Sequence, residues 1–329
     1  MIAVWAPLLL PFLAAPLARR LADALSPRAA AWTLAGSAAV LAGGTLCSLG
    51  LLAAAGLLQL PPVAALGHLS LPWLTAAAPG APLAAAVAAL ALAALTALAV
   101  RTARRHHHDL RTARAALPAE DARRTPRDLL TPPDHRLTVL DDERADAFAL
   151  PGRLHRGEPG RIVVTAGMLR ALSGPERAAL LAHERAHLTG RHHLFLALAE
   201  HAADIHPALR QLRAPLGYHL ERWADEVAAA RVGDRTVTAR AVGRAALAAN
   251  RAPSPARPKL AAAAHTGPVP RRVAALLQPR PTPTGTRLRP VALALAACLA
   301  LSTAATMEAT ADLHHTVEAA QHNDGRVER

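Results

Sequence analysis

The chain has 329 residues, of which 52% are hydrophobic, 2% aromatic and 19% charged. Soluble domains usually carry about 25% charged residues, whereas positions 29–100 contain no Asp, Glu, Lys or Arg. This composition excludes an ordinary soluble enzyme and an intrinsically disordered chain, and the presence of only two cysteines excludes a disulfide-stapled secreted scaffold. An uncharged stretch of this length indicates membrane-spanning segments.

The formal net charge of +13 could indicate a nucleic-acid-binding protein, but its distribution does not favour one. Lys259 is the only lysine, the arginines are scattered among acids, and aromatic residues for base stacking are nearly absent. Arginines next to apolar segments are orientation signals and contacts for anionic lipid headgroups. We therefore expect the lipid bilayer, and no nucleic acid, as a partner.

Four apolar segments are candidates for transmembrane helices: 2–18, 32–58, 81–100 and 291–307. No basic stretch precedes the first, so it is predicted to be a retained anchor, and its prolines predict a kinked helix. Arginines follow the first and third segments, whereas the loop 59–80 has no formal charge and the short tail 308–329 is acidic. The positive-inside rule therefore predicts a multi-pass protein of the cell membrane, with residues 101–289 in the cytoplasm.

The cytoplasmic part is predicted to contain a basic juxtamembrane segment (101–133), a folded domain (134–250) and a Pro-rich connector with a short helix (251–290). Within the domain, β-branched and apolar runs between turn formers predict three short strands, at 137–140, 147–150 and 161–165.

A helix is predicted to follow these strands, because Ser173 and Glu176 have the spacing of a capping box. On this helix lie His183, Glu184 and His187, in the pattern H-E-x-x-H. A spacing of four places both imidazoles on one face, where they can bind a single Zn²⁺, and Glu184 lies beside the open coordination position. Glu184 is therefore the candidate general base for hydrolysis by a zinc-activated water.

A third zinc ligand is needed, and Glu200 and Glu221 both occur in the sequence E-x-x-A-D. On an unbroken helix Glu200 would lie about 20 Å beyond His187, although Gly190 could break that helix. Two prolines and a glycine within 207–217 supply the breaks that let a second helix bring Glu221 back to the metal. The pattern favours Glu221 and leaves Glu200 as the alternative.

Two residues near Glu221 are candidates for supporting roles. Asp225 follows it by one turn and could accept a hydrogen bond from the second nitrogen of a ligand histidine. Its alternative is a solvated carboxylate paired with Arg222 or Arg231. Tyr218 lies just before Glu221 and is a candidate for stabilising the oxyanion, with a packing or surface role as the alternative.

Two groups of adjacent histidines are not expected to bind the zinc ion. His106–His108 point in different directions if helical, so a solvated juxtamembrane run is favoured. His192 and His193 fall five and six residues after His187, off the ligand face. We interpret this second pair as basic or interfacial residues.

In this order, the motifs of the chain resemble those of the membrane metallopeptidases of family 56, the BlaR/MecR-like group. More distantly they resemble family 48, the HtpX-like and CAAX-processing endopeptidases. The resembling stretch, from about Asp146 to Leu277, covers roughly 40% of the chain. Its motifs are A-F-A-L-P-G at 147–152, then 162–169, 183–187, 221–225 and P-R-R-V-A-A-L-L at 270–277.

The resemblance implies a zincin-like α+β metallopeptidase domain with a small sheet, attached to about four transmembrane helices. It implies three zinc ligands and a general base, namely His183, His187, Glu221 and Glu184. By analogy with related zincins, the strand at 146–150 or at 161–165 would hold a peptide substrate in extended form. The antibiotic sensors of family 56 carry a large extracellular domain after the last span, whereas 22 residues follow Met307, so a β-lactam receptor is not expected.

The leading hypothesis is a membrane-anchored zinc endopeptidase that cleaves a protein or peptide at the cytoplasmic membrane face. Its cleavage would belong to regulated proteolysis or signalling, with a regulatory partner such as a transcriptional repressor. The alternative is a catalytically silent zinc-binding receptor or scaffold. A transporter is disfavoured because the predicted spans contain no ionisable residue to line a pathway.

Overall fold

The computed structural model describes residues 2–117, 136–153, 158–251, 268–279 and 289–327. The expectations for 118–133 and for most of the connector lie outside these residues. Four of the described helices are long and apolar enough to cross a membrane, in agreement with the expected number of spans. They are α1 (Ala6–Ala22, after a 3-10 turn at Ile2–Trp5), α2 (Pro27–Leu57), α5 (Ala81–Ala115) and α12 (Arg289–Val327).

Helix α1 continues across two internal prolines, Pro11 and Pro16. Its neighbours α2 and α12 both pack against it, and its buried face is formed largely by alanines, among them Ala14 and Ala18. Small side chains let helix backbones approach closely, which is how helices associate where lipid removes the hydrophobic driving force. Packing on both sides therefore maintains a helix that its prolines alone would interrupt.

The loop between the second and third spans and the tail after the fourth span contain more helix than the sequence indicates. The uncharged loop contains α3 (Pro61–Leu66) and α4 (Leu71–Ala77). Helix α12 runs past the predicted end of the fourth span and packs against these helices, with the Ser70 N–H donating to the carbonyl of Ala320 at 3.0 Å. The tail expected after residue 307 is therefore a continuation of the spanning helix through Val327.

Helix α5 likewise continues into the basic segment and ends at Ala115. Alanine and arginine both favour helix, so no local signal stops it at the edge of the apolar stretch. Just beyond that edge, the hydroxyl of Thr102 donates to Oδ2 of Asp204 at 2.8 Å. This bond joins the third span to the domain that contains the H-E-x-x-H helix.

The three predicted strands are present as β1 (Arg136–Leu140), β2 (Ala147–Leu150) and β3 (Arg161–Thr165). Their order in the sheet is β1-β3-β2, with β1 parallel and β2 antiparallel to β3. The central strand is therefore β3, and its Val163 and Val164 are fully buried. Because β3 is paired on both sides, it cannot hold an extended peptide, and of the two strands expected to do so only β2 lies at a sheet edge.

The remaining helices form the body of the domain around the H-E-x-x-H motif. They are α6 (Ala166–Ala171), α7 (Gly174–Thr189), α8 (His192–Ile205), α9 (Arg213–Val232), α10 (Arg235–Arg251) and α11 (Val269–Leu277), with a 3-10 turn at Pro207–Leu212.

One hydrophobic core joins this domain to the membrane helices. Phe195 and Leu196 of α8 and Leu216 and Leu220 of α9 pack in the same buried cluster as apolar residues of α1 and α2. At the turn after α8, Nε2 of His206 lies 3.1 Å from the carbonyl oxygen of Leu8 in α1. The helices around the metal motif are thus seated directly on the first two spans.

Candidate zinc centre

The start of α7 is formed by the predicted capping box. The amide and the hydroxyl of Ser173 both donate to Oε2 of Glu176, at 2.9 and 2.8 Å. The same carboxylate lies 2.9 Å from Nη1 of Arg244, which ties α10 to α7. These contacts fix the beginning of the helix that carries the histidines.

Three buried donors meet at the centre of the domain. Nε2 of His183 and Nε2 of His187 lie 3.1 Å apart on α7. The carboxylate of Glu221 on α9 lies 3.2 Å from His187 Nε2 and 3.4 Å from His183 Nε2. Ligands of a tetrahedral zinc ion with bonds of about 2.0–2.1 Å are separated by about 3.3 Å, so this triangle has the size that zinc requires. The three residues form the one group of metal-ligand type found among the described residues.

Glu200, the alternative third ligand, is not part of this group. It lies on α8, where its carboxylate is paired with Arg213. The position of the two carboxylates therefore agrees with the preference for Glu221.

Asp225 lies one turn beyond Glu221, with Oδ1 3.1 Å from Nδ1 of His183. This position agrees with the predicted contact to a ligand histidine. The predicted alternative partners, Arg222 and Arg231, are replaced by a different arginine: Arg272 of α11 donates from Nε and Nη2 to both oxygens of Asp225, at 2.9 and 2.7 Å.

Arg272 also reaches the ligand set itself. Its Nη1 lies 2.7 Å from Oε2 of Glu221, and the side chain is 5% exposed. A guanidinium matches carboxylates in a planar, forked geometry, so one arginine orients both acids. Sequence analysis missed this role, although Arg272 lies within the 270–277 motif that carries the family resemblance.

The charges of the centre favour a cation between the two histidines. Burial lowers the pKa of His183, but the carboxylates of Asp225 and Glu221 outweigh it and raise that pKa to about 10. Burial raises the pKa of Asp225, but Arg272 and His183 outweigh it and hold the value below the ordinary range. The surroundings of His183 therefore stabilise positive charge, whether carried by a proton or by a metal ion.

His192 was interpreted as a basic or interfacial residue, and that interpretation is wrong. Its Nδ1 lies 2.8 Å from Nδ1 of His187, and its ring is buried against Trp223. Burial and the neighbouring His187 lower the pKa of His192 to about 2, so the ring is neutral and can accept a hydrogen bond. Nε2 of His187 faces the metal position. His192 can therefore accept a hydrogen bond from the other ring nitrogen of His187, Nδ1, and fix the orientation of that ring.

The turn between α7 and α8 brings His192 to this position. Arg191 adopts a left-handed backbone conformation, with a φ of 50°. A Cβ on Gly190 would lie 2.5 Å from Nε2 of His192, so only glycine leaves room for the ring. The chain therefore leaves the helical path at Arg191, and the position of the His192 ring depends on the absence of a side chain at Gly190.

Glu184 and Tyr218 are the remaining predicted site residues. Glu184 is 1% exposed, and neither carboxylate oxygen has a hydrogen-bond partner among the described residues. Two orphaned acceptor atoms beside the histidines fit a base that works on a water or a substrate. Tyr218 lies one turn before Glu221, and its ring lies beneath the guanidinium of Arg271, 4.4 Å from ring centre to Cζ.

Comparison with known proteins identifies this part of the chain. Residues 120–212 match the family model described as Peptidase family M48. The chain carries a zinc metallopeptidase domain. The match includes the H-E-x-x-H motif and ends before Glu221, so the third ligand is supported by the geometry. Comparison with the curated proteins and with the solved structures gives no match.

The match also bears on the family expected from the sequence. The more distant of the two resemblances, to family 48, agrees with this match over residues 120–212. The closer one, to family 56, is not specifically supported by it. The zincin-like domain with its small sheet and the zinc cofactor agree with the expectation from the sequence.

Proposed function

We propose that this protein is a membrane-anchored zinc endopeptidase that hydrolyses peptide bonds of a protein substrate at the cytoplasmic membrane face. The observation that carries the proposal is the position of Glu184 beside the triangle of His183, His187 and Glu221. Its two carboxylate oxygens are buried and have no partner within the part of the chain that the structure describes. Zinc bound there would polarise the scissile carbonyl and make water acidic enough to react near neutral pH.

The residues of the site would each have a separate role in this reaction. Glu184 removes a proton from the attacking water and returns it to the amine of the leaving group. His192 and Asp225 orient the two histidines, and Arg272 holds Glu221 and Asp225 in place. Tyr218 is proposed as a donor to the oxyanion.

Strand β2 is the proposed support for the substrate backbone. It is an edge strand, and its Ala147 lines the same cavity as His183 and Glu184. A peptide added to this edge would pass the reacting groups in extended form.

The cytoplasmic orientation is proposed from charge and from packing. Arginines cluster at the ends of α1 and α5 that adjoin the domain, and they favour the cytoplasmic side. The shared core with α1 and α2 seats the catalytic helices on these spans, so the substrate must reach the membrane surface to be cleaved. The sequence places the catalytic part at 134–250, and we propose that it also includes α11, because Arg272 contacts Glu221 and Asp225.

Regulated proteolysis of a partner such as a transcriptional repressor, in the manner implied by the resemblance to family 56, is the proposed setting. The competing function is a catalytically silent receptor or scaffold that keeps zinc for folding. Glu184 is buried and has no partner among the residues that the structure describes, which favours the enzyme, because a purely structural zinc site gains nothing from an unsatisfied carboxylate.

The deciding experiment compares the wild type with Glu184→Gln, in detergent or in lipid nanodiscs, for zinc content and for cleavage of an unstructured protein. We expect the variant to retain zinc and to lose activity by about 10²- to 10⁴-fold. A variant that keeps both zinc and full activity would sink the assigned mechanism. Zinc binding without turnover in the wild type would favour the scaffold.

A further inference from the structure

A cavity of about 190 Å³ lies between α7 and α10, directly beside the zinc site. His183, Glu184 and Arg272 line one part of it. Apart from Thr238 and Asn250, the rest of its wall is apolar, and most of it consists of small side chains such as Ala179, Ala241 and Ala245. The cavity therefore extends from the reacting groups into a mainly apolar space.

The sequence of α10 creates this space. Its residues 238, 241, 242, 245, 246 and 249 recur at helical spacing and line the cavity, and four of the six are alanine. Larger side chains at these positions would fill the gap between the two helices. The pair between Arg244 and Glu176 fixes α10 against α7, so the space is held open by the fold.

His183 and Glu184 belong to the reacting centre and Asn250 is exposed, whereas the two other polar groups of the wall are already engaged. Arg272 is paired with Glu221 and Asp225, and the hydroxyl of Thr238 donates to the carbonyl of Asp234 at 2.9 Å. In the part of the cavity away from Glu184, a charged group would lose its hydration without gaining a partner. An apolar group would gain the full benefit of burial.

We propose that this cavity binds one uncharged apolar side chain of the substrate, next to the bond that is cleaved, and that its alanines set the size accepted. An apolar cavity of about 150 Å³ can hold a benzene ring, so side chains from leucine to phenylalanine fit the space. The inference rests on the proposed function for the role of the bound group as a substrate residue. The cavity itself does not depend on turnover.

The first test is cleavage of a mixture of random peptides by the zinc-loaded protein, read by mass spectrometry. We expect one position beside the cleaved bond to select leucine, methionine or phenylalanine over alanine by about tenfold or more in kcat/KM. Ala245→Leu should shift this selection to alanine or glycine. The control Ala178→Leu makes the same change at an exposed position of α7 and should leave the selection as in the wild type. An unchanged preference in an active Ala245→Leu protein would overturn the proposal.

The second test measures binding, and so does not require turnover. Two hydroxamates that differ only in an isobutyl or a methyl side chain are titrated calorimetrically into the zinc-loaded wild type. We expect the isobutyl compound to bind at least about tenfold more tightly, and the ratio to approach one in Ala245→Leu but not in Ala178→Leu. Equal binding of the two compounds to the wild type, or no binding of either, would overturn the proposal.

The two measurements separate the cavity from the catalytic assignment. If the wild type prefers the isobutyl compound but cleaves no peptide, the proposed function fails and the apolar binding site stands. If it cleaves peptides without selecting an apolar residue, the function stands and the cavity proposal fails.

Discussion

Nη1 of Arg272 lies 2.7 Å from Oε2 of Glu221, inside a site where the carboxylate is fully buried. The two residues belong to different helices, α11 and α9, and the same guanidinium pairs with Asp225. Two buried carboxylates without a cation would be costly, because neither could regain the hydration it lost. Arg272 thus stabilises the ligand set before any metal ion binds.

Replacing Arg272 is expected to destabilise the metal-free protein more than the zinc-bound protein. Arg272→Gln leaves Glu221 and Asp225 without their arginine, at a cost of about 3–5 kcal/mol. Zinc neutralises part of this charge, so the loss in Tm should be smaller with zinc than with a chelator. Arg272→Lys should rescue only in part, because a point charge cannot reproduce the forked contacts. The control Arg271→Gln removes an exposed arginine 3.3 Å from Asp23 and should change Tm little.

The local features of the fold could be predicted because neighbouring residues determine them. The capping box of Ser173 and Glu176 and the β-branched run ending at Thr165 both lie where the sequence places them. The extension of α12 to Val327 could not, because it depends on packing against Ala64 and Leu74 in the segment between the second and third spans. Polar sequence past residue 307 gives no local indication of that contact.

The site also contains residues that local sequence predicts and residues that it does not. The spacing of His183 and His187 follows from helix geometry alone. Of the three residues predicted to break the chain before Glu221, Pro207 lies in the turn after α8, whereas Pro215 and Gly217 lie inside α9. Arg272 lies 47 residues beyond its partner Asp225, a distance that no periodic pattern spans. His192 was misinterpreted because it was placed on a continuing helix, whereas the chain turns at Gly190 and Arg191. A buried pair of acids does require a cation, and that requirement is the signal that could have drawn attention to a nearby arginine.

Replacing Glu221 and Glu200 in turn should show which of the two carboxylates binds zinc. Glu221→Gln is expected to weaken zinc binding by more than the roughly 10- to 100-fold typical of outer-shell partners, because the carboxylate faces both Nε2 atoms. Glu200→Gln makes the same chemical change at the paired surface residue and should leave zinc affinity unchanged. Competition with a chromophoric chelator measures both. Equal loss in the two variants would contradict the ligand assignment.

His192 is expected to act through His187. His192→Phe keeps a ring but removes the acceptor at 2.8 Å, so zinc affinity should fall by about tenfold. His192→Asn restores an acceptor and should recover part of the loss, which a purely structural role for the ring would not produce. His193→Phe, at the adjacent and more exposed position, is the matched control. The prediction fails if His192→Phe binds zinc as tightly as the wild type.

The capping carboxylate should make stability depend on pH in a defined range. Burial raises the pKa of Glu176, but the Ser173 bonds and Arg244 outweigh it and hold the pKa below its ordinary value. Its charge therefore contributes stability above the unfolded pKa of about 4.3, and that contribution disappears as pH falls through the lower folded pKa. Glu176→Gln should cost about 1 kcal/mol at pH 7, and its difference in Tm from the wild type should shrink below about pH 4. Thermal unfolding from pH 7 to pH 3 measures this, with Glu143→Gln as an exposed control. A difference that stays constant over this range would show that the charge of Glu176 does not stabilise α7.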